Sequence, residues 1–269
     1  MQGSLFTSAA RCLDCAGVAD KLALTDAVAR AFAAGQLDLN ASAAAAPAPI
    51  GAPGRPPRPL LVAPRRLPQR GLGSATGRAA LIHAVAHIEF NAINLAWDAV
   101  YRFRDLPPDY YRDWIGVAVD EARHFRLLQA RLSLLGCAYG DFDAHDGLWE
   151  MAVKTAGSCL DRMALVPRVL EARGLDVTPA MIARLRMAGD TDSVQILEVI
   201  LREEVAHVAA GSRWFAWCCA RSGVEPEATF VRLVAEHAAG AIKLPLNTAA
   251  RLAAGFSASE LARLSAPST

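Results

Sequence analysis

The chain carries one short pattern twice. Asp120-Glu121-Ala122-Arg123-His124 and Glu203-Glu204-Val205-Ala206-His207 each set a glutamate three residues ahead of a histidine. On an α-helix three residues turn the chain through about 300°, so the two side chains share a face one turn apart and can grip a single ion together. Each copy follows an isolated acidic residue in an otherwise apolar helical run: Glu89 stands 32 residues before Glu121, and Glu171 stands 33 before Glu204. The two sets are offset by 82 to 83 positions, which reads as a two-helix unit repeated. A carboxylate on an apolar stripe must be paired or metal-bound, because an uncompensated buried charge is too costly to keep. The pattern therefore asks for four helices that turn these side chains inward. One Glu-x-x-His arises often by chance on helices, and the competing reading is an ordinary bundle with Glu and His on its surface. Two copies with matched partners favour a shared site.

The remaining periodicity is helical throughout. Two short helices are expected within residues 1–40. Residues 41–73 change character: eight prolines fall between Pro47 and Pro68, together with Arg55, Arg58, Arg65, Arg66 and Arg70 and no acidic residue. Proline lacks the amide donor that a helix or central strand needs, so this is an extended arm. It reads as a strap over the bundle, its Ala-Pro portion partly disordered, or as a basic contact for phosphate or RNA. Four bundle helices are expected over 74–222. The first runs from a cap at Ser74 to about Arg104, the second from Asp109 to Leu135, the third from 148 to 173 with a kink at Pro167, and the fourth from Asp192 to Arg221. A short helix opening at Thr178-Pro179 is expected between the last two. Residues 223–269 form a helical extension, with one helix over Pro226–His237 and another near Ser259–Leu264. The fold class is all-α.

Composition narrows the function. A net charge of +1 gives no global steering toward polyanions, although the arm is locally basic. Charged residues interrupt every apolar run before the roughly 18 positions that a membrane span needs. No basic segment followed by an apolar one opens the chain, so the expectation is a cytoplasmic protein. Six cysteines in 269 residues do not make a disulfide framework. Cys12 and Cys15 have zinc-ligand spacing, but no second pair completes four ligands.

Glutamate from two helices plus Glu-x-x-His from two others is the ligand set of di-iron and di-manganese carboxylate bundles. Oxygen donors with one imidazole per ion suit iron or manganese, whereas thiolates would point elsewhere. Glu89, Glu121 and His124 are assigned chiefly to one ion, and Glu171, Glu204 and His207 to the other, with Glu121 and Glu204 as candidate bridges. Asp120 and Glu203 occupy matching positions beside the motifs and could steady the ligating histidines, or could instead pair with Arg123 and Arg202. Glu203 also aligns with His207 at i,i+4 and could replace Glu204. His83 is a further candidate to support the site, and its plain alternative is a hydrogen-bonded histidine. Trp97, Tyr101, Trp214 and Phe215 could wall a cavity, but aromatics on bundle helices are usually core.

His87-Ile88-Glu89-Phe90-Asn91-Ala92-Ile93, Asp120 to Phe125, Val169 to Asp176 and Glu204 to Val208, with Arg213-Trp214-Phe215, resemble the ferritin-like family known as domain of unknown function 455. The likeness covers nearly the whole chain. It implies a ferritin-like four-helix bundle and a dinuclear centre of two iron ions, or Fe/Mn or Mn/Mn. More distantly the arrangement resembles di-iron hydroxylases and oxidases, in which an acidic residue before Glu-x-x-His supports the opposite histidine; Glu203 departs from the usual Asp. The expectation is an oxygen-activating oxidoreductase with a small-molecule substrate and an external electron donor. Alternatives are an enzyme like the tRNA-modifying hydroxylases, using the arm on RNA, an iron-binding ferroxidase, and a metal-stabilised interaction module. No membrane partner is expected.

Overall fold

The computed structural model describes residues 3–40, 46–68 and 70–266. Its elements are almost entirely helical, and the chain divides after Val153 into two compact units.

In the first unit, α1 (Leu5–Asp14) and α2 (Val18–Ala33) form the expected helical pair, tied at their ends by a two-residue parallel pairing of β1 (Gly3–Ser4) with β2 (Leu37–Asp38). Ser4 caps α1 by accepting from Thr7 N. Next, α3 (Ala75–Arg102) opens where the sequence places it, with Ser74 Oγ accepting from Gly77 N. It packs along α4 (Pro108–Leu134), which has proline at its first position. From Phe90 to Val100 every residue of α3 is buried. By length and hydropathy α3 could cross a membrane, yet 78% of its apolar window is covered by protein, as in the central helix of a folded core. Two of its buried polar residues are held by named partners. Asp98 binds Arg102 at 2.7 Å, and Asn94 Oδ1 accepts from Lys21 Nζ at 2.6 Å. Lys21 also satisfies the carbonyls of Cys12 and Leu13 at the end of α1.

The proline-rich arm lies as a strap on this unit. Gly54 N donates to Leu13 O, the Trp149 indole donates to Gly51 O, and Val62 N and Leu60 O both bond Ala144 in the loop after α4. Arg55 pairs with both oxygens of Asp146 at 3.0 Å. Expected disorder in the Ala-Pro portion falls partly on residues 41–45, outside the described residues. Near the end of the unit comes α5 (Gly147–Lys154).

The second unit departs from the single kinked helix expected over 148–173. After α5 the chain breaks, and Ser158 Oγ accepts from Asp161 N to start α6 (Cys159–Leu165). A π-helix over Val166–Glu171 carries Pro167, where the kink is expected. There is no stop at Gly174 and no new start at Thr178: α7 (Ala172–Met187) runs through both and encloses Pro179. A hairpin turn leads to α8 (Thr191–Ser222), capped by Asp190 at one end and by left-handed Gly223 at the other. Then follow α9 (Pro226–His237), which packs on α6 and α8, α10 (Thr248–Ala253), which packs on α7 and α8, and α11 (Ala258–Ser265), which packs on α9. All six cysteines are free thiols.

Candidate metal centre

In the first unit the helical period delivers what the motif demands. Glu89 on α3 and Glu121 and His124 on α4 are all buried. His124 Nδ1 stands 3.2 Å from Glu89 Oε2 and 3.4 Å from Glu121 Oε2, and one donor atom from each residue falls within 4.8 Å of the others. Burial alone would push the His124 imidazole down, but the hydrogen bonds and charges of Glu121 and Glu89 outweigh it and raise its pKa to about 11. Once His124 gives up that proton, two carboxylates and a neutral imidazole total two negative charges in a dry pocket, which one divalent cation would balance. The nitrogen facing both carboxylates, Nδ1, is one of the two that an imidazole can use to ligate a metal. This buried Glu/His group could hold a metal ion.

The second unit repeats the local geometry. His207 on α8 is buried and turns the same nitrogen, Nδ1, toward the glutamate three residues earlier, at 3.6 Å from Glu204 Oε1. Glu171 is the last residue of the π-helix and is half-buried.

Residues proposed to support the ligands have other contacts. Asp120 reaches Arg123 at 3.1 Å and Glu203 approaches Arg202 at 3.8 Å, the pairs written in the sequence as their alternative. His83 Nε2 accepts from Gly140 N at 2.9 Å and its ring stacks on Tyr139. Burial pushes His83 down to about 4, and His87 likewise, so both are neutral near pH 7. Three of the candidate wall aromatics are core: Trp97 donates to Thr25, Trp214 packs on Trp217, and Phe215 faces Phe230, whereas Tyr101 is half-buried and its hydroxyl accepts from Ala48 N at 2.8 Å.

Tyr139 was not legible as a neighbour of the site. Its ring packs on Phe90 and Phe125, the residues after Glu89 and His124, and its hydroxyl lies 2.9 Å from His87 Nδ1. It comes from the loop after α4, where no periodicity points inward.

Residues 14–262 match the family described as "Protein of unknown function (DUF455)". The chain belongs to the DUF455 family. A family relative, an "Uncharacterized protein" of Haemophilus influenzae, is 45% identical over 213 residues, covering 77% of this chain and 74% of the relative. No solved structure matches the chain. Membership in DUF455 names no reaction, so the chemistry must be argued from the donors themselves.

Proposed function

We propose that this DUF455 protein is a dinuclear-metal carboxylate protein of ferritin-like architecture, most simply di-iron, acting as an oxygen-activating oxidoreductase. The observation that carries the reading is the doubled donor set, in which the same Nδ1 nitrogen turns to the preceding glutamate in both motifs. In this reading Glu89, Glu121 and His124 would hold one ion, and Glu171, Glu204 and His207 would hold the other. Hard oxygen donors with one imidazole each suit iron or manganese. Bound there, the metal pair would supply electrons to dioxygen.

The protein's own part is definable from its residues. The carboxylates neutralise the ions, and the apolar surroundings of α3 and α4 keep bulk water from the donors of the first set. His124 must give up its proton to ligate, so metal uptake releases a proton and strengthens as pH rises. Substrate and electron donor come from outside the chain.

The test is oxygen consumption after anaerobic loading with Fe(II), with a reductant and candidate substrates, against Glu171→Ala. Catalytic uptake abolished by the substitution supports an oxidoreductase; stoichiometric uptake with iron accumulation supports a ferroxidase; no uptake overturns the oxygen chemistry. A second reading, an RNA-modifying hydroxylase, draws support from the exposed Arg58, Arg65, Arg66 and Arg70 of the arm. Turnover on RNA that is lost when these four arginines become glutamine would support it.

A further inference from the structure

A buried guanidinium sits three residues before Glu171. Arg168 lies in the π-helix with its side chain only 3% exposed, and its carbon Cζ stands 4.1 Å from the Phe230 ring centroid, 4.5 Å from that of Phe256 and 4.8 Å from that of Phe215. Glu260 closes the cage, accepting from Arg168 Nη2 at 2.8 Å through Oε1. The other oxygen of the same carboxylate, Oε2, accepts from Ser257 N at 2.8 Å and completes the capping box that starts α11. One glutamate therefore joins the C-terminal helix to the turn that carries a candidate ligand. A buried cation with this set of partners has few alternative positions, because leaving the cage uncovers both the charge and its counter-ion.

Arg168's neighbour is clamped from another side. A side chain at Gly211 would bring its Cβ within 2.4 Å of Pro167 Cβ and Cγ, so the π-helix rests in a notch that only glycine leaves. Glu204, His207, Gly211 and Phe215 follow one another at three- and four-residue steps and form one stripe of α8. Ligands, notch and cage wall thus belong to the same helix face. The π-helix is a rare geometry, found mostly as single turns at functional sites, and here it is packed from outside at two successive residues, Pro167 and Arg168.

We propose that Arg168 is a positioning residue, and that the Phe215–Phe230–Phe256 cage with Glu260 locks the π-helix so that Glu171 is held for metal alongside Glu204 and His207. The metal part rests on the dinuclear reading above; the lock itself does not. It gives the C-terminal extension a task at the site rather than a merely covering one.

The test has two readouts on the full-length chain. Hydrogen exchange of the metal-free protein follows the amides of 166–171, and equilibrium dialysis with Mn(II) counts ions per chain. For Arg168→Met the lock predicts exchange at 166–171 faster by about ten-fold or more, with α3 and α4 unchanged. It also predicts loss of the ion assigned to Glu171, Glu204 and His207, while the ion on Glu89, Glu121 and His124 stays. Arg168→Lys keeps the charge over the rings and should restore most of both. If Arg168→Met does not fold, Glu260→Gln keeps the aromatic cage and carries the same two readouts. Unchanged exchange at 166–171 in the variants overturns the lock. Failure of the wild-type protein to bind Mn(II) overturns the dinuclear reading instead, and the exchange result then decides the lock alone.

Discussion

Asn247 Nδ2 donates to Leu175 O at 3.1 Å, the carbonyl that Pro179 leaves without its helical amide. A proline inside a helix removes the bond from residue i to residue i−4. Here a side chain seventy-two positions away replaces it, and Asn247 N is held in turn by Asp176 Oδ1 at 2.8 Å. Asn247→Ala should cost about 1–3 kcal/mol, the penalty for a buried acceptor left unsatisfied. Adding Pro179→Ala should recover much of that loss, because the returned amide bonds Leu175 O. Urea unfolding of the two single variants and the double variant measures the coupling, and additive losses would refute it.

Gly211 gives the second prediction. With its Cβ within 2.4 Å of Pro167, Gly211→Ala cannot be accommodated without moving the π-helix or α8. Alanine normally favours a helix over glycine, by about 1 kcal/mol. Overpacking at this contact should reverse that sign and destabilise the protein by about 1–3 kcal/mol. A denaturation midpoint at or above the wild-type value would contradict the contact.

His83 predicts a pH dependence. Its pKa falls from the ordinary 6.5 to about 4 because burial disfavours the imidazolium. Between those values the unfolded chain takes up a proton that the folded chain does not, so stability is lost as pH falls from 6.5 toward 4 and levels off below. Replacing His83 with glutamine should flatten that part of the profile, read as unfolding free energy against pH. An unchanged slope would contradict the assignment.

Lys21 provides the fourth. Its ammonium joins the carbonyls of Cys12 and Leu13 to Asn94 in the centre of α3, and desolvation lowers its pKa to about 8. Lys21→Met keeps most of the volume but strands Cys12 O and Asn94 Oδ1, while Leu13 O keeps its bond from Gly54 N, and should cost about 2–4 kcal/mol in urea unfolding at pH 7. A loss below about 1 kcal/mol would mean that the carbonyls find other partners.

These cases mark what the sequence could and could not display. Helices α3, α4 and α8 are legible because local signals fix their ends: Ser74 as a cap for α3 and Gly223 after α8, with α4 set between Asp109 and Leu135 by its helical period. The pairings Glu121–His124 and Glu204–His207 were legible because they follow from helical period alone. The third helical stretch was misread. Ser158 caps a new helix where the pattern read as interior, and Pro179 sits inside a helix because Asn247, far along the chain, replaces the lost bond. Arg168 was invisible for the same reason, since its partners come from positions 215, 230, 256 and 260, with no local period to announce them.

If six side chains hold a pair of ions, the metal content of the purified chain reports them. Iron and manganese per chain should be counted in protein isolated from its own host and again after anaerobic Fe(II) reconstitution. Glu121→Ala and Glu204→Ala should be measured alongside. Two ions per chain are expected for the wild type and a clear loss in each variant. A wild-type chain that retains no more iron or manganese than the variants would contradict it.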